Sequence, residues 1–261
     1  MGKLIKLDQV TDAPICVLTL NRPEAMNALN QELLLEFLQI LEEIDSDNRY
    51  YCTIITGSGE RAFCAGADLK ERRKMTEKEG LAAVKRIGQV FRRVETMRYP
   101  VIAAINGVAL GGGLELALAC DLRVSAEEAR LGLTETSLAI IPGAGGTQRL
   151  SRLIGVGKAK ELIYTATPIS GKEALTYGIV EKIVPKEAVL DVALDLARQI
   201  VKNGPLALQA AKKAIDYGLE VDLETGLNIE GLCYEKVLYT EDRLEALRAF
   251  QEKRQAKFQA K

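Results

Sequence analysis

The sequence predicts an α/β protein whose core spans residues 1–200 and whose residues 201–261 form a helical C-terminal unit. Two observations support this prediction. The order of buried strand, glycine-rich loop and helix occurs three times along the first part of the chain, which indicates stacked repeat units. Beyond the predicted strand IVEKIV, the remaining segments show helical patterns and no clear strand.

The first part of the chain predicts a hairpin, a helix and a strand. LIKLDQV and ICVLTL flank the turn residues 11–14 and predict the hairpin. Either Asn27 or Asn30 can cap the next helix, in which apolar residues recur at helical spacing from position 34 to 44. The β-branched run YCTIITG predicts a strand that leads into the glycine- and alanine-rich loop RAFCAGADLKE.

Helix caps, glycines and prolines predict the bounds of the later elements. Thr76 and Glu79 predict a capping box for a helix that runs to about Arg98, before Pro100. PVIAAINGVAL reads as one buried strand, and a glycine-rich turn follows it and opens the helix LELALAC. A short helix ended by Gly178 precedes the strand IVEKIV. The C-terminal helices have predicted boundaries at Gly204-Pro205, Gly218 and Thr240.

The composition is that of an ordinary globular protein, with 48% hydrophobic and 27% charged residues. A net charge of -1 provides no long-range field for nucleic acid or an anionic membrane, so an anionic ligand has to be bound by a few local cations. The apolar runs are shorter than the roughly 20 residues of a membrane-spanning helix. The N-terminus has no signal or transit pattern. We therefore expect no membrane association and a cytoplasmic location, while a processed organellar form stays open.

The absence of histidine restricts the chemistry most. Without an imidazole, Ser-His-Asp and Cys-His hydrolases and histidine-ligated metal sites are excluded. The five cysteines form no C-x-x-C pair and read as reduced core residues, so we predict no metal site. Proton transfer has to use carboxylates, Lys, Tyr or Cys.

The glycine-rich turns do not match nucleotide-binding motifs. The Gly157-Lys158 pair does not complete a P-loop, and the G-x-G-x-x-G patterns that start at Gly111 and Gly143 lack their third glycine. Residues 111–113 and the FCAGADL loop instead offer two backbone N–H donors between which a thioester carbonyl would be polarised. Glycines that only permit close packing remain the alternative.

Two carboxylates stand next to these turns. Glu115 lies in the apolar helix start LELALA, where a carboxylate is unfavourable unless it is paired or functional. Glu135 precedes the apolar run SLAII in a predicted loop. Each alone is compatible with a capping or surface acid, but together they favour a general acid/base pair.

Four segments of the chain resemble the signature segments of the enoyl-CoA hydratase (crotonase) family, and they occur in the family's order. These segments are NRPEAMNALN, RAFCAGADLKE, GVALGGGLELALACDLRV and ETSLAIIPGAGGTQRL. The resemblance covers the whole chain and implies a crotonase (ClpP-like) spiral of strand-strand-helix repeats with a helical C-terminal trimerisation unit. It also implies an acyl-CoA substrate, a homotrimer or hexamer (a dimer of trimers), and no cofactor, because coenzyme A is part of the substrate.

The resemblance further implies a role for each candidate residue. The N–H groups of Ala67 and Gly112 would form an oxyanion hole, and Gly143 would line the same site. Glu115 would orient the water that attacks C3 and Glu135 would protonate C2, so that a short-chain 2-enoyl-CoA is hydrated syn to a 3-hydroxyacyl-CoA. Coenzyme A would contact Ala25, Ala65, Asp68, Leu69, Lys70, Phe250 and Lys253. For the last two, a core position and a surface charge are the alternatives.

Within the family, ADLKERRKM and GLEVDLETGLNIE look closest to methylglutaconyl-CoA hydratases. That substrate has a second carboxylate, for which Arg72 and Arg73 are candidate partners; surface arginines and a plain short acyl chain are the alternative. One member of the branch is also an AU-rich RNA-binding protein with a lysine-rich helix, but the matching helix here has no lysine, so we expect weak RNA affinity. Enoyl-CoA isomerisation and a non-catalytic CoA-binding scaffold remain competing functions.

Overall fold

The computed structural model describes residues 4–261, in which helices surround two β-sheets. The strands of this part of the chain are β1 (Ile5–Gln9), β2 (Ile15–Leu20), β3 (Cys52–Gly57), β4 (Ala62–Cys64), β5 (Val101–Ile105), β6 (Val108–Leu110), β7 (Leu122–Ala126), β8 (Arg130–Gly132), β9 (Ile169–Ser170) and β10 (Lys182–Val184). Its α-helices are α1 (Gln31–Ser46), α2 (Leu69–Arg72), α3 (Glu77–Glu95), α4 (Gly112–Ala119), α5 (Gly146–Ile154), α6 (Val156–Thr165), α7 (Gly171–Thr176), α8 (Val189–Ile200), α9 (Pro205–Gly218), α10 (Leu223–Leu238) and α11 (Glu241–Gln251). Short 3-10 helices cover Pro23–Ala25, Glu135–Leu138 and Lys186–Ala188.

From β3 to β8, successive strands alternate between the two sheets. The larger sheet has the order β1-β2-β3-β5-β7-β10, and the smaller sheet has the order β4-β6-β8-β9. All neighbours are parallel except the β1–β2 hairpin and the β8–β9 pair. Each of the pairs β3–β4, β5–β6 and β7–β8 contributes one strand to each sheet and is followed by helical structure. The prediction of an α/β spiral of strand-strand-helix repeats is therefore confirmed.

The segment PVIAAINGVAL forms two strands, so the prediction of a single strand was wrong. β5 lies in the larger sheet and β6 in the smaller one, and Asn106-Gly107 separates them. The Asn106 Nδ2 donates to the carbonyl oxygens of Gly57 at 2.8 Å and Gly59 at 3.1 Å. A Cβ on Gly107 would lie 2.5 Å from the Arg61 carbonyl oxygen. Because apolar residues stand on both sides of this turn, periodicity alone could not locate it.

Three further local predictions are resolved. Asn30 caps α1 by accepting a hydrogen bond from the Leu33 N–H at 3.0 Å. Asn27 is instead buried, and its Nδ2 donates to the Ala62 carbonyl oxygen at 2.8 Å. The capping box at Thr76 is present. The strand predicted from IVEKIV is shorter than expected, because only Lys182–Val184 pairs with β7.

The core surrounds β5 and holds the elements that carry the site. Every residue of β5 is buried, and the largest fully buried side chains include Phe37 of α1, Phe63 of β4 and Phe91 of α3. Burying a side chain of this size stabilises the fold by about 1.5–3 kcal/mol. β4 and α4, which border the candidate site, are thereby fixed in a close-packed interior.

The C-terminal region is helical from α8 onward within the described residues. α9 and α10 pack on each other, and α9 is tied to the core through Lys212, which pairs with Asp121 and, at 3.2 Å, with Asp216. The division of the chain at residue 200 stays a prediction. None of the helices described here has the length and apolarity of a membrane span. In the same residues no cluster of three or more Cys, Asp or Glu side chains is placed to bind a metal ion.

Candidate active site

The glycines at the start of α4 have three different structural functions. Gly111 has φ 52° and ψ -123°, a backbone conformation that favours glycine. Gly112 is the first residue of the helix, and no acceptor among residues 4–261 takes its N–H. A Cβ on Gly113 would lie 1.9 Å from the Cys64 carbonyl oxygen. Close packing therefore explains Gly113, whereas Gly112 presents a free donor.

The loop after β4 brings a second free donor to the same place. Leu29 forms a single parallel bridge with Ala67, in which the Leu29 N–H donates to the Gly66 carbonyl oxygen at 2.8 Å and the Asp68 N–H donates to the Leu29 carbonyl oxygen at 3.1 Å. These bonds use the groups on either side of Ala67, and its own N–H has no acceptor in the described chain. A Cβ on Gly112 would lie 3.7 Å from the Ala67 nitrogen. The two N–H groups are thus neighbours that can both contact one oxygen atom.

Glu115 lies one turn into α4 and is held by the third glycine-rich loop. Its side chain is 3% exposed, and Oε1 accepts hydrogen bonds from the N–H groups of Ala144 and Gly146, both at 2.8 Å. Burial raises the pKa of Glu115 above its ordinary value, while the two N–H donors and the positive charge of Arg149 act in the opposite direction. The carboxylate is buried and fixed through one oxygen, and its second oxygen accepts no bond from the residues described.

Glu135 begins the 3-10 helix Glu135–Leu138, rather than lying in the predicted loop. Its carboxyl group lies over Gly111, since a Cβ there would be 3.0 Å from Oε1. The other oxygen, Oε2, is buried and has no hydrogen-bond partner within residues 4–261. Burial, and then the negative charge of Glu115, raise the pKa of Glu135 to about 7. Burial thus raises the pKa of both carboxyl groups, and they lie close enough for the charge of Glu115 to act on Glu135.

The loops predicted to contact coenzyme A lie side by side. Ala25 ends the 3-10 helix Pro23–Ala25, and the next carbonyl oxygen, that of Met26, accepts a bond from the Ala65 N–H at 3.0 Å. Leu69 and Lys70 begin α2 and are exposed to solvent. The structure thus groups these four candidates near the Ala67 donor, while a contact with coenzyme A stays a prediction for each.

Asp68 has a clear structural function in the same loop. Its Oδ1 accepts bonds from the N–H groups of Lys70 at 3.1 Å and Glu71 at 3.2 Å, and so caps α2. Its Oδ2 pairs with the Arg22 guanidinium at 3.0 Å. Burial opposes ionisation of Asp68, but Arg22 and the capping N–H groups hold its pKa below the ordinary value. Asp68 orders the loop that carries Ala67, and a direct contact with coenzyme A stays a prediction.

The two C-terminal candidates are both on the surface. Phe250 of α11 is 84% exposed, so the alternative of a core residue is wrong. Lys253 follows the helix with φ 54° and is also exposed. A role for either residue in binding coenzyme A stays a prediction.

Arg72 and Arg73 differ in their surroundings. Arg72 is half-buried, and its Nη1 donates to the Gly80 carbonyl oxygen at 2.6 Å. Arg73 is exposed. The guanidinium of Arg72 therefore already has a hydrogen-bond partner within the protein, whereas Arg73 is exposed to solvent.

The segment after Glu135 contains apolar residues that the sequence analysis did not assign to the site. Leu138, Ile140 and Ile141 are exposed by 53%, 57% and 69%. Gly143 is exposed as well and lies against α3, where a Cβ would be 2.7 Å from Val84 Cγ1. The place of Gly143 in the site stays a prediction. The run SLAII in the sequence could have pointed to these residues, because consecutive apolar residues at the surface are typical of a binding site.

The fold and the paired carboxylates define an acid/base enzyme with the crotonase fold. The family model described as enoyl-CoA hydratase/isomerase matches residues 11–261. Short-chain-enoyl-CoA hydratase of Clostridium acetobutylicum is 44% identical over 93% of this chain and 93% of its own. Mitochondrial methylglutaconyl-CoA hydratase of Mus musculus is 48% identical over 94% of this chain and 79% of its own. The crystal structure of an enoyl-CoA hydratase from Bacillus anthracis has a TM-score of 0.98 and 52% identity, and covers 99% of this chain and 100% of that one. The chain belongs to the enoyl-CoA hydratase/isomerase family and is an enzyme.

Proposed function

We propose that the protein is an enoyl-CoA hydratase that adds water syn to a short-chain 2-enoyl-CoA thioester and forms a 3-hydroxyacyl-CoA. The observation that carries this proposal is the placement of two carboxylates, Glu115 and Glu135, beside two free backbone N–H groups. Hydration needs both a base for the water and an acid for C2. A thioester also needs donors for the oxygen that becomes negative in the transition state.

Each group has a task that suits its surroundings. The N–H groups of Ala67 and Gly112 bind the thioester oxygen and stabilise the enolate. Glu115 is held through Oε1, so Oε2 is free to accept a proton from the water that attacks C3. Glu135 has a pKa raised to about 7 by burial and by Glu115, so it can carry the proton that is delivered to C2. Glu115 thus takes one proton from the water and Glu135 gives one proton to C2, so the addition of water is balanced.

Enoyl-CoA isomerisation is the competing reaction within the same family. It moves a proton along the acyl chain and needs no second carboxylate to activate water. Two carboxylates that both border the donor pair support hydration, and they also argue against a CoA-binding scaffold without activity. The trimer or hexamer implied by the resemblance is part of the same proposal.

The experiment is a spectrophotometric assay of the enoyl absorbance of crotonyl-CoA. We expect wild type to remove this absorbance, and we expect Glu115→Gln and Glu135→Gln each to lose most of the turnover while folding and coenzyme A affinity are kept. Glu128→Gln is the matched control, because Glu128 is an exposed glutamate on the same part of the chain. Near-full turnover in either active-site variant would contradict the two-carboxylate mechanism.

For the acyl group we propose a plain short chain rather than a dicarboxylic one. The exposed side chains of Leu138, Ile140 and Ile141 favour an apolar chain, and Arg72 is partly engaged by the Gly80 carbonyl oxygen. A buried distal carboxylate without a cation would be strongly unfavourable. The similarity to a methylglutaconyl-CoA hydratase keeps the other substrate as an outcome to be tested.

The acyl group can be tested with Arg72→Ala and Arg73→Ala. We expect kcat/KM for crotonyl-CoA to exceed that for methylglutaconyl-CoA, and we expect neither substitution to change the ratio. If one variant selectively loses the dicarboxylic substrate, that arginine binds the distal carboxylate and the preference proposed here is wrong.

A further inference from the structure

Arg149 of α5 and Glu95 of α3 form a bidentate ion pair behind the third glycine-rich loop. The Arg149 Nε lies 2.8 Å from Glu95 Oε1, and Nη2 lies 2.9 Å from Glu95 Oε2. The Arg149 side chain is only 17% exposed. Its remaining nitrogen, Nη1, donates to the Ala144 carbonyl oxygen at 2.9 Å. The guanidinium therefore joins α3 to the loop, and each of its three nitrogens donates a hydrogen bond.

The same loop residue holds the catalytic candidate on its other side. The Ala144 N–H donates to Glu115 Oε1 at 2.8 Å, and the Gly146 N–H does the same. Between them, Gly145 has φ 107°, and a Cβ there would lie 2.1 Å from Arg149 Nη1. Only glycine at this position lets the guanidinium reach the Ala144 carbonyl oxygen. The ion pair, the Ala144 backbone and Gly145 thus form one continuous chain of contacts from Glu95 to Glu115.

We propose that Arg149, held by Glu95, is a positioning residue that fixes the 144–146 loop and through it the carboxylate of Glu115. This inference rests on the proposed function only in taking Glu115 as the group that orients water. It assigns a role to two residues that do not reach the substrate. Neighbouring residues 137–141 are exposed, so the ion pair anchors the loop at the point where it passes from surface to interior.

Loss of this anchor would act on kcat more than on KM. A displacement of about 1 Å at a reacting group can lower the rate on the order of 100-fold, even when the changed residue is remote. The positive charge of Arg149 also lowers the pKa of Glu115, and the charge of Glu115 in turn raises the pKa of Glu135; Glu95 and Arg92 lie behind Arg149. Removal of Arg149 would therefore raise the pKa of Glu115 and move the acid limb of the kcat profile to higher pH.

The test compares Arg149→Met and Arg149→Lys with the control Arg152→Met. Arg152 lies on the same helix, with a side chain that is 59% exposed and 3.7 Å from Glu220. We expect Arg149→Met to lower kcat on the order of 10- to 100-fold with little change in KM, and to shift the acid limb upward. We expect Arg149→Lys to keep the acid limb near its wild-type position but to recover only part of kcat, because an ammonium cannot bind Glu95 and Ala144 as the planar guanidinium does. Arg152→Met should match wild type in kcat and in the position of the acid limb.

A second variant and a second readout separate this inference from the proposed function. If Arg149→Met does not fold, Glu95→Gln weakens the same ion pair and should lower kcat in the same way, but without the upward shift of the acid limb, because the positive charge of Arg149 is kept. Deuterium exchange of peptides covering residues 142–148 should be faster in the Arg149 variants than in wild type or Arg152→Met, whether or not the protein hydrates crotonyl-CoA. An inactive wild type would refute the proposed function, and exchange alone would then decide whether Arg149 holds the loop. Folded Arg149 and Glu95 variants with wild-type kcat, or with wild-type exchange, would overturn the inference.

Discussion

At the scale of single residues, the raised pKa of Glu135 makes the stability of the fold depend on pH. Burial and the charge of Glu115 raise its pKa from the ordinary 4.5 to about 7. Because the folded-state pKa lies above the unfolded one, the folded protein binds more protons than the unfolded chain between these values. The stabilising contribution is complete below about pH 4.5 and is lost as the pH rises through about 7. A carboxylate suited to donate a proton is thus a source of instability in neutral and alkaline solution.

Glu135→Gln should therefore separate activity from stability. The amide keeps the volume of the side chain and cannot ionise, so above pH 7 we expect the variant to unfold at a higher temperature than wild type although its hydratase turnover is lost. The difference in Tm should shrink toward pH 5, where the wild-type carboxyl group is protonated. Thermal unfolding of both proteins from pH 5 to pH 8 measures this, and a difference in Tm that does not depend on pH would contradict it.

The N–H of Gly112 can be tested almost alone, because Gly112 is the first residue of α4. Proline is well tolerated at the first position of a helix, so Gly112→Pro removes the donor with little disturbance of the helix. We expect a loss of turnover on the order of 100-fold or more. Gly112→Ala is the control: it keeps the N–H and adds a Cβ that would lie 3.3 Å from the flexible end of Leu29. A folded Gly112→Pro variant with normal turnover, as judged by circular dichroism and the crotonyl-CoA assay, would exclude Gly112 as an oxyanion donor.

At the scale of secondary-structure elements, a buried ion pair links α9 to the core. Lys212 has a side chain that is 8% exposed, and it pairs with Asp121. The Oδ2 atom of Asp121 also accepts the N–H of Val101 at the start of β5, at 2.7 Å. Burial raises the pKa of Asp121, whereas Lys212 and this N–H favour its charged form. The pair therefore joins the first C-terminal helix to the strand that leads into the site.

Lys212→Met should destabilise the protein strongly, because it leaves the Asp121 carboxylate without its counter-ion. We expect a loss of about 3 kcal/mol in the free energy of unfolding. Lys213→Met is the matched control, since Lys213 is exposed and we expect a change within about 0.5 kcal/mol. Urea denaturation at one fixed protein concentration measures both, because any assembly would make stability depend on concentration. Equal effects of the two substitutions would show that the pair does not hold α9.

At the scale of the whole molecule, the region from α9 to α11 exposes several large apolar side chains. Leu219, Leu223, Tyr239 and Phe250 are exposed by 80%, 78%, 78% and 84%. Exposed apolar residues concentrated in one region are typical of an interface. Their location in the region from α9 to α11 supports the proposed trimer or hexamer.

We therefore expect sedimentation equilibrium to give a mass of three or six chains of 28.5 kDa each. Leu223→Asp should shift the distribution toward smaller species, because it places a charge on this exposed apolar surface. Leu35→Asp, at a residue of α1 that is 54% exposed, is the control and should leave the mass unchanged. A wild-type protein that sediments only as a monomer would refute the assembly.

The sequence by itself determined the features that depend on neighbours along the chain. The Thr76 capping box follows from residues within one helical turn, whereas the sequence left both Asn27 and Asn30 as possible caps of α1. Glu115 stood out because it interrupts an apolar run, and the repeated order of strand, glycine-rich loop and helix predicted stacked α/β units, which the family resemblance identified as a spiral. These patterns are local, so they can be read before any contact is known.

Only the tertiary structure decided which distant groups meet. Glu115 takes its N–H donors from residues 29 and 31 positions away, and Arg149 meets Glu95 at a separation of 54 positions. The assignment of β5 and β6 to different sheets, and the exposure of Phe250, likewise depend on packing between elements that are far apart in sequence. No periodicity within a segment encodes such contacts, because they are stabilised by burial and hydrogen bonding that arise only once the chain has folded.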